Sequence, residues 1–218
     1  MSTEYNILLS TAYLPPIEYM GALMKSENVT IEKEETYPKQ TYRNRCRILS
    51  ANGILDLSIP VVKVNGNNTK TKDIAIYNSG RWFVNHWRAI NSAYSGSPFF
   101  LYYKDDLKEF YSGKYENLLE FNTELTNKIL NLIGIVCKLK YSDLFTMPNE
   151  MLYDARYSIT PKTKVDSLYY NEYTQVFSNK LSFIPNLSII DLLFNLGPET
   201  KEYLNQYNQI SNNPKPKI

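Results

Sequence analysis

A hairpin signal in the second quarter of the chain limits the folds that this sequence can adopt. Asn52 and Gly53 lie between two β-prone runs, RNRCRILSA and ILDLSIPVV. A type I′ turn needs positive φ at both central residues, and Asn-Gly is the dipeptide that most readily provides it. A two-residue loop at this point predicts an antiparallel ribbon in which Ile48 faces Leu57.

Three arginines fall on one side of this expected ribbon, with Lys39 close by in the sequence. Because successive strand residues point to opposite faces, Arg43, Arg45 and Arg47 should project together. Like charges so placed repel each other unless an anion lies among them, and a planar guanidinium pairs two oxygens at once. The pattern predicts a site for phosphate, pyrophosphate or carboxylate. The alternative is a solvated face with Asp56 diagonally beside Arg47.

The other side of the ribbon is apolar except for Asn44. A buried amide needs hydrogen-bond partners, commonly the backbone of a neighbouring loop, so Asn44 is interpreted as a structural clamp. Cys46, on the same side, is interpreted as a small buried hydrophobe.

The N-terminal part of the chain has the pattern of a β-α-β unit. Residues 5–12 are apolar and β-prone, IEYMGALMKS has apolar residues at helical spacing, and VTIEKEE predicts a second strand. In such units ligands bind at the loop after the first strand, which places Tyr13 against a pocket. The expected fold class is α/β: a mixed sheet with this N-terminal unit, a β-hairpin, and a helical middle and C-terminal part.

Helical periodicity dominates from Gly80 onward. Three helices are predicted from RWFVNHWRAINSAY, FFLYYKDDLKEFY and NLLEFNTELTNKILNLIG, the last of them stopped by Gly134. Residues 141–186 are mixed and aromatic, and loops with one or two short strands are expected there. We expect one domain over residues 1–207 and a disordered tail over 208–218.

Ser188 and Asp191 have the spacing of a capping box ahead of the next helix, with Asp in the usual place of Glu. Both residues are therefore expected to be structural.

The chain has a single histidine, His86. Imidazole is the side chain whose ordinary pKa lies near neutrality, so His86 is the leading candidate for a general acid or base if it faces a cleft. It lies on an apolar helical stripe between Trp82 and Ile90, so the alternative is a core histidine with satisfied hydrogen bonds. Trp82 is expected to be a structural member of that stripe.

Composition excludes several functional classes. A net charge of +2 over 218 residues argues against a dedicated nucleic-acid binder. No apolar run is long enough to span a membrane, and two cysteines with one histidine do not make a structural zinc site. The N-terminus lacks the basic region of a signal peptide, so a cytoplasmic protein is expected. The sequence identifies neither a cofactor nor an oligomeric state.

Five ordered blocks of the chain resemble the WbqC-like protein family. They cover nearly the whole sequence: YLPPIEYMGAL (13–23), KQTYRNRCRI (39–48), LSIPV (57–61), RWFVNHWRAINSAY (81–94) and FIPNLSIIDLLFNLGPE (183–199). The family's His-Gln-Pro segment is replaced here by Leu-Leu-Ser-Thr-Ala, and its paired aspartates by Glu34 and Glu35. Five residues discussed above match the family pattern: Tyr13, Lys39, Asn44, Arg45 and His86.

The resemblance implies an association with gene clusters for O-antigen and other surface polysaccharides. A nucleotide sugar or another small phosphorylated metabolite is then the expected ligand, held by Lys39, Arg43 and Arg45 against Tyr13, with His86 transferring a proton. One alternative is a non-catalytic binding or scaffolding module. A second, resting on fold analogy alone, is a nucleotide- or RNA-handling protein.

Overall fold

The structure, a computed structural model, describes residues 5–148 and 152–207. In that part of the chain, strands and helices are mixed, which confirms the α/β class. The strands are β1 (Tyr5–Ser10), β2 (Ser26–Glu32), β3 (Arg45–Ser50), β4 (Gly53–Ser58), β5 (Val61–Lys63), β6 (Ile74–Ile76), β7 (Leu139–Tyr141) and β8 (Leu152–Asp154). The α-helices are α1 (Ile17–Met24), α2 (Trp82–Tyr94), α3 (Phe100–Lys108), α4 (Leu118–Ile133), α5 (Ile189–Leu196) and α6 (Thr200–Gln206).

The centre of the fold is a four-stranded parallel sheet with strand order β7-β2-β1-β8. The expected β-α-β unit supplies β1, α1 and β2, and the aromatic region supplies the short strands β7 and β8. The chain therefore builds the sheet outward from β1 on one side and then adds β8 on the other. In open α/β sheets this reversal of direction marks the crevice at the carboxyl ends of the strands where ligands usually bind. The corresponding position in this sheet is at the carboxyl ends of β1 and β8.

The hairpin is confirmed, but its register differs by two residues from the expected one. Cys46, rather than Ile48, lies opposite Leu57. Gly53 has a φ of +100°, whereas Asn52 does not adopt a positive φ. A single left-handed glycine is typical of a type I turn that is followed by Gly, and this places the turn one residue earlier. Because the shift is two residues, every side chain keeps its expected face.

The second run of the hairpin ends sooner than expected. β4 stops at Ser58, and after Pro60 the chain enters β5, where Val61 pairs with Ile76 of β6. Pro lacks a backbone N–H and fixes φ, so it interrupts a strand ladder. The paired part of the hairpin therefore ends at Arg45 and Ser58 and does not reach Arg43.

Helix boundaries follow local signals. α4 begins after Asn117, whose side chain accepts a hydrogen bond from the backbone N–H of Glu120, and it ends at Gly134 in the left-handed region. One hydrophobic cluster includes residues from β1 through α6. The single-domain boundary stays a prediction, and the expected tail over 208–218 lies outside the described residues.

Candidate functional site

Arg43 lies outside the hairpin strand that carries Arg45 and Arg47. Residues 42 and 43 form a turn, and β3 begins only at Arg45, so strand alternation does not reach Arg43. Its guanidinium is buried and donates from Nε and Nη2 to the two carboxylate oxygens of Glu35, each at 2.7 Å. This bidentate pair has the geometry of the strongest Arg–carboxylate contacts. The expectation that three arginines form one set is therefore wrong.

Arg47 is neutralised on the surface of the hairpin. It lies directly opposite Asp56, and its Nε donates to the carboxylate at 3.2 Å. The observed register thus turns the expected diagonal neighbour into a facing pair. Both side chains are partly exposed, so water screens this interaction.

Arg45 differs from both neighbours because its buried Nε has no hydrogen-bond partner. The hydroxyl of Tyr37 is also buried without a partner. Burial raises the pKa of Tyr37, and the positive charges of Arg43 and Arg45 act in the opposite direction. The Nε–H of Arg45 and the hydroxyl of Tyr37 are thus both unpaired, and the two residues interact electrostatically.

Unpartnered buried atoms are concentrated around this segment. Among the described residues, five buried side-chain atoms lack a partner, and four of them belong to residues 37–45. The fifth is Oδ1 of Asn122, whose Nδ2 donates to the carbonyl of Arg43 at 2.8 Å and to Thr11 Oγ1 at 3.2 Å. Buried polar groups in native proteins are almost always hydrogen-bonded, to protein, water or ligand. The segment therefore has hydrogen-bonding capacity that the protein itself does not use.

Two lysines add positive charge nearby. Nζ of Lys63 donates to the Tyr37 carbonyl at 3.2 Å and lies 5.5 Å from the centre of the Tyr37 ring. Lys39 is exposed, two residues further along the chain from Tyr37. We call Arg45, Tyr37, Lys63 and Lys39 the Arg45 site.

A buried ion network joins the carboxyl ends of β8 and β2. Arg156 donates to Asp154 from Nε at 2.9 Å and from Nη2 at 2.7 Å, and its Nη1 lies 3.4 Å from Glu32. Since Asp154 ends β8 and Glu32 ends β2, Arg156 crosses above β1, which lies between them. Nη2 of Arg43 reaches the Arg156 carbonyl at 3.4 Å, which joins the two buried pairs.

Glu34 and Glu35, which follow β2, both bind cations. Glu35 binds Arg43, as above. Glu34 accepts from Lys70 at 2.7 Å and from Lys72 at 2.8 Å, and these hydrogen bonds lower its pKa to about 2. Glu35 therefore holds Arg43 of the basic segment (residues 39–47), whereas Glu34 holds the separate stretch that contains Lys70 and Lys72.

His86 lies inside an aromatic cluster. Its ring stacks on Tyr13 with 5.7 Å between ring centres and meets Trp82 edge to face at 5.0 Å. The Tyr13 hydroxyl is 2.9 Å from Nδ1 of His86 and 3.0 Å from the Tyr111 hydroxyl. Tyr111 in turn lines a surface pocket of about 510 Å³ between α2 and the end of α3. Tyr13 follows β1 as expected, but it is fully buried.

The protonation state of His86 follows from its burial. Burial lowers the pKa of His86 to about 4, while a hydrogen bond with the backbone of Ser58 acts in the opposite direction. A neutral imidazole can accept the Tyr13 proton at Nδ1. Ser58 also lies directly opposite Arg45 in the hairpin, so the Arg45 site and the His86 cluster meet at this residue. The role of His86 in proton transfer stays a prediction.

The folded protein is expected to lose about 3 kcal/mol of stability through His86 as the pH falls from 6.5 to 4. The contribution is complete above pH 6.5, the ordinary pKa, and is lost toward about 4, the folded-state pKa, because the unfolded chain binds the proton first. Glu18, whose pKa burial raises to about 7, acts in the opposite sense. Urea unfolding between pH 4 and 8 should therefore be compared with that of His86→Gln. Identical pH profiles for the two proteins would contradict this account.

Asn44 and Ser188 hold backbone segments near the hairpin. Nδ2 of Asn44 donates to the Ile59 carbonyl at 2.8 Å, a contact of the kind that a clamp needs. Oγ of Ser188 accepts from the backbone N–H of Ile190 at 3.5 Å and donates to the Leu14 carbonyl at 3.0 Å. The Ser188 side chain therefore caps α5.

Asp191 does not complete the expected capping box. The Ser188 N–H, which a capping-box carboxylate would accept, donates instead to the Arg47 carbonyl at 2.8 Å. The buried carboxylate of Asp191 accepts side-chain hydrogen bonds from three residues: Tyr94 (2.9 Å), Tyr173 (2.6 Å) and Gln175 (3.1 Å). Asp191 thus organises the C-terminal loops rather than the start of α5.

Several residues that shape the site carry no local signal in the sequence. Tyr37 could be suspected only because it borders the basic segment. Tyr111, Asn122 and Arg156 come to the site from distant parts of the chain, and neither spacing nor composition distinguishes them. In the described part of the chain, no group of three or more His, Cys, Asp or Glu side chains is arranged to hold a metal ion. Over the same ranges, no helix has the length and apolar character needed to cross a membrane.

The fold and the site define an α/β protein with a basic hairpin beside the carboxyl edge of a parallel sheet. A profile of the WbqC-like protein family matches residues 11–168 and 152–203, so the chain belongs to that family. The chain is also similar to the uncharacterised protein Rv1507c of Mycobacterium tuberculosis, with 27% identity over 225 residues that cover 90% of this chain and 96% of that protein. No solved structure matches the chain.

Proposed function

We propose that the protein is a cytoplasmic enzyme that acts on a small phosphorylated metabolite of the nucleotide-sugar type. The observation that carries the proposal is the buried Nε of Arg45, which has no partner, together with the unpartnered hydroxyl of Tyr37, on which the charge of Arg45 acts. A phosphate or pyrophosphate oxygen would satisfy the guanidinium, and a hydroxyl-bearing ligand would also suit Tyr37. We place this enzyme in surface-polysaccharide biosynthesis because the family resemblance implies that role.

The charges around Arg45 favour an anionic ligand. Arg43 and Arg47 are each neutralised by a carboxylate, whereas Arg45, Lys39 and Lys63 have no carboxylate partner within the described ranges. Arg45 is also partly withdrawn from water, which strengthens its attraction for an anion. These features support the binding of an anion at the Arg45 site rather than along all of residues 39–47.

Ligand binding should raise the stability of the protein in a way that depends on Arg45. At ten times its dissociation constant, a nucleotide sugar should add about 1.4 kcal/mol, or about 3–6 °C in Tm for a chain of this size. Arg45→Gln should weaken that ligand about 10- to 150-fold, since a charge-assisted hydrogen bond contributes about 1.5–3 kcal/mol. The measurement is thermal unfolding with UDP- and dTDP-linked hexoses, sugar 1-phosphates and pyrophosphate, followed by calorimetric titration.

Arg47→Gln is the matched control, because it removes an arginine of the same strand that is already paired with Asp56. It should bind the ligand with unchanged affinity. Absence of any stabilisation across the panel, or equal weakening in the two variants, would contradict the proposal.

A second candidate is a binding module without catalysis, and the burial of His86 favours it. His86 is only 6% exposed, and its Nδ1 already contacts Tyr13. In that case His86→Gln should leave ligand affinity and the cellular role intact, while Arg45→Gln abolishes both. An enzyme that uses His86 should instead keep its affinity and lose turnover.

A further inference from the structure

A second pocket lies in the C-terminal loops, in a part of the chain that the Arg45 site does not use. It has a volume of about 380 Å³ and lies within residues 172–183. Its lining combines hydroxyl, amide and aromatic groups with one carboxylate, from Glu172, Tyr173, Thr174, Gln175, Ser178, Leu181, Ser182 and Phe183. The volume is sufficient for a ligand the size of a monosaccharide or a small disaccharide.

The charge of this lining differs from that of the Arg45 site. Glu172 is its one charged residue, and no lysine or arginine lines the pocket. An anionic ligand would meet a carboxylate without a compensating cation, which is unfavourable. The exposed hydroxyls of Thr174, Ser178 and Ser182 can both donate and accept hydrogen bonds. A neutral ligand with many hydroxyl groups therefore matches the lining.

Asp191 holds two of the residues that line the pocket, Tyr173 and Gln175. Tyr173 donates to this buried carboxylate at 2.6 Å, and Gln175 donates to it at 3.1 Å. Nε2 of Gln175 also donates to the Ile184 carbonyl at 2.9 Å, and its Oε1 accepts from the Ile184 N–H at 3.0 Å. Because Tyr173 and Gln175 are already held in place, they lose little conformational freedom when a ligand binds.

The aromatic residues give the pocket an apolar surface beside its hydroxyls. Tyr173 and Phe183 meet edge to face with 5.3 Å between ring centres. A sugar ring presents C–H groups on its faces and hydroxyls around its rim, so it can contact aromatic surface and polar groups at once. We propose that this pocket binds a neutral saccharide and that Glu172 accepts hydrogen bonds from its hydroxyls.

Saturation-transfer NMR with the full chain tests this inference. The probes are glucose, galactose, mannose, rhamnose and N-acetylglucosamine at 10 mM, and at least one should give signals from its ring protons. Glu172→Ala should weaken that sugar at least tenfold, because an ionised acceptor makes the stronger kind of hydrogen bond. Phe183→Leu, which removes aromatic surface and keeps an apolar side chain, should also weaken it.

Glu120→Ala, at an exposed glutamate of α4, is the matched control and should bind the sugar as the unaltered protein does. Arg45→Gln should also leave sugar binding unchanged, so this inference and the proposed anion site can fail separately. The inference is overturned if none of the five sugars binds. It is equally overturned if a sugar binds with unchanged affinity to both Glu172→Ala and Phe183→Leu.

Discussion

Replacing Arg43 with methionine is expected to lower the free energy of unfolding by about 3–5 kcal/mol. Glu35 is fully buried, and Arg43 donates to each of its two carboxylate oxygens at 2.7 Å, while the Thr71 hydroxyl adds a longer hydrogen bond to one of them at 3.3 Å. Without the guanidinium, the carboxylate must stay charged in a low-dielectric surrounding or take up a proton. The loss should appear as a lower urea midpoint with an unchanged m-value.

Two further variants show whether the cost comes from the stranded carboxylate. Arg47→Met removes the exposed partner of Asp56 and should cost no more than about 1 kcal/mol. Arg43→Met combined with Glu35→Leu removes both buried charges and should recover most of the loss, because a well-packed apolar pair is often as stable as a buried ion pair. Equal costs for Arg43→Met and Arg47→Met would show that burial does not distinguish these two pairs.

Arg156→Met is expected to cost about 3–4 kcal/mol, since Arg156 is the arginine that joins the carboxyl ends of β8 and β2. Its removal leaves Asp154 without its bidentate partner and Glu32 without a cation. Glu32 still accepts hydrogen bonds from the Ser142 hydroxyl at 2.6 Å and from the Thr146 N–H at 2.8 Å, so the effect should fall slightly below that of Arg43→Met. Urea unfolding of the two variants measures the order.

Lys128 provides the matched control for Arg156. It also bridges two carboxylates, Asp106 at 3.2 Å and Glu109 at 3.0 Å, but on the surface. Lys128→Met should therefore cost no more than about 1 kcal/mol. Adding Glu32→Gln to Arg156→Met should recover part of the loss by removing the buried charge. A cost below about 1 kcal/mol for Arg156→Met would mean that the network at the sheet edge does not hold the strands together.

Elements whose signals are local could be predicted from the sequence. The hairpin, the unit of β1, α1 and β2, and the stop of α4 at Gly134 each depend on a few neighbouring residues. The register of the hairpin was wrong because it depends on the turn type, and Asn-Gly is compatible with more than one type. β7 and β8 are three residues each, and they gain their pairing from the long strands β1 and β2 rather than from their own sequence.

The candidate site was only partly predictable, for a similar reason. The basic segment was visible, and Arg45 keeps an unpaired nitrogen there. The partners that neutralise the other arginines were not visible, because strand alternation predicts the direction of a side chain but not what faces it. Arg43 turns toward Glu35, and Arg156 closes the sheet edge, only because the chain brings distant segments together.

The measurement that tests the Arg45 site most directly is the Nε–H resonance of Arg45 in ¹⁵N-labelled protein, assigned by its loss in Arg45→Lys. Titration with the nucleotide sugar that gives the largest stabilisation should move this resonance, and the shift should saturate with the same dissociation constant that calorimetry gives. The Nε–H resonance of Arg47, whose nitrogen already donates to Asp56, should stay in place. An Arg45 resonance that does not move at saturating ligand, or an equal shift of both arginines, would contradict the account.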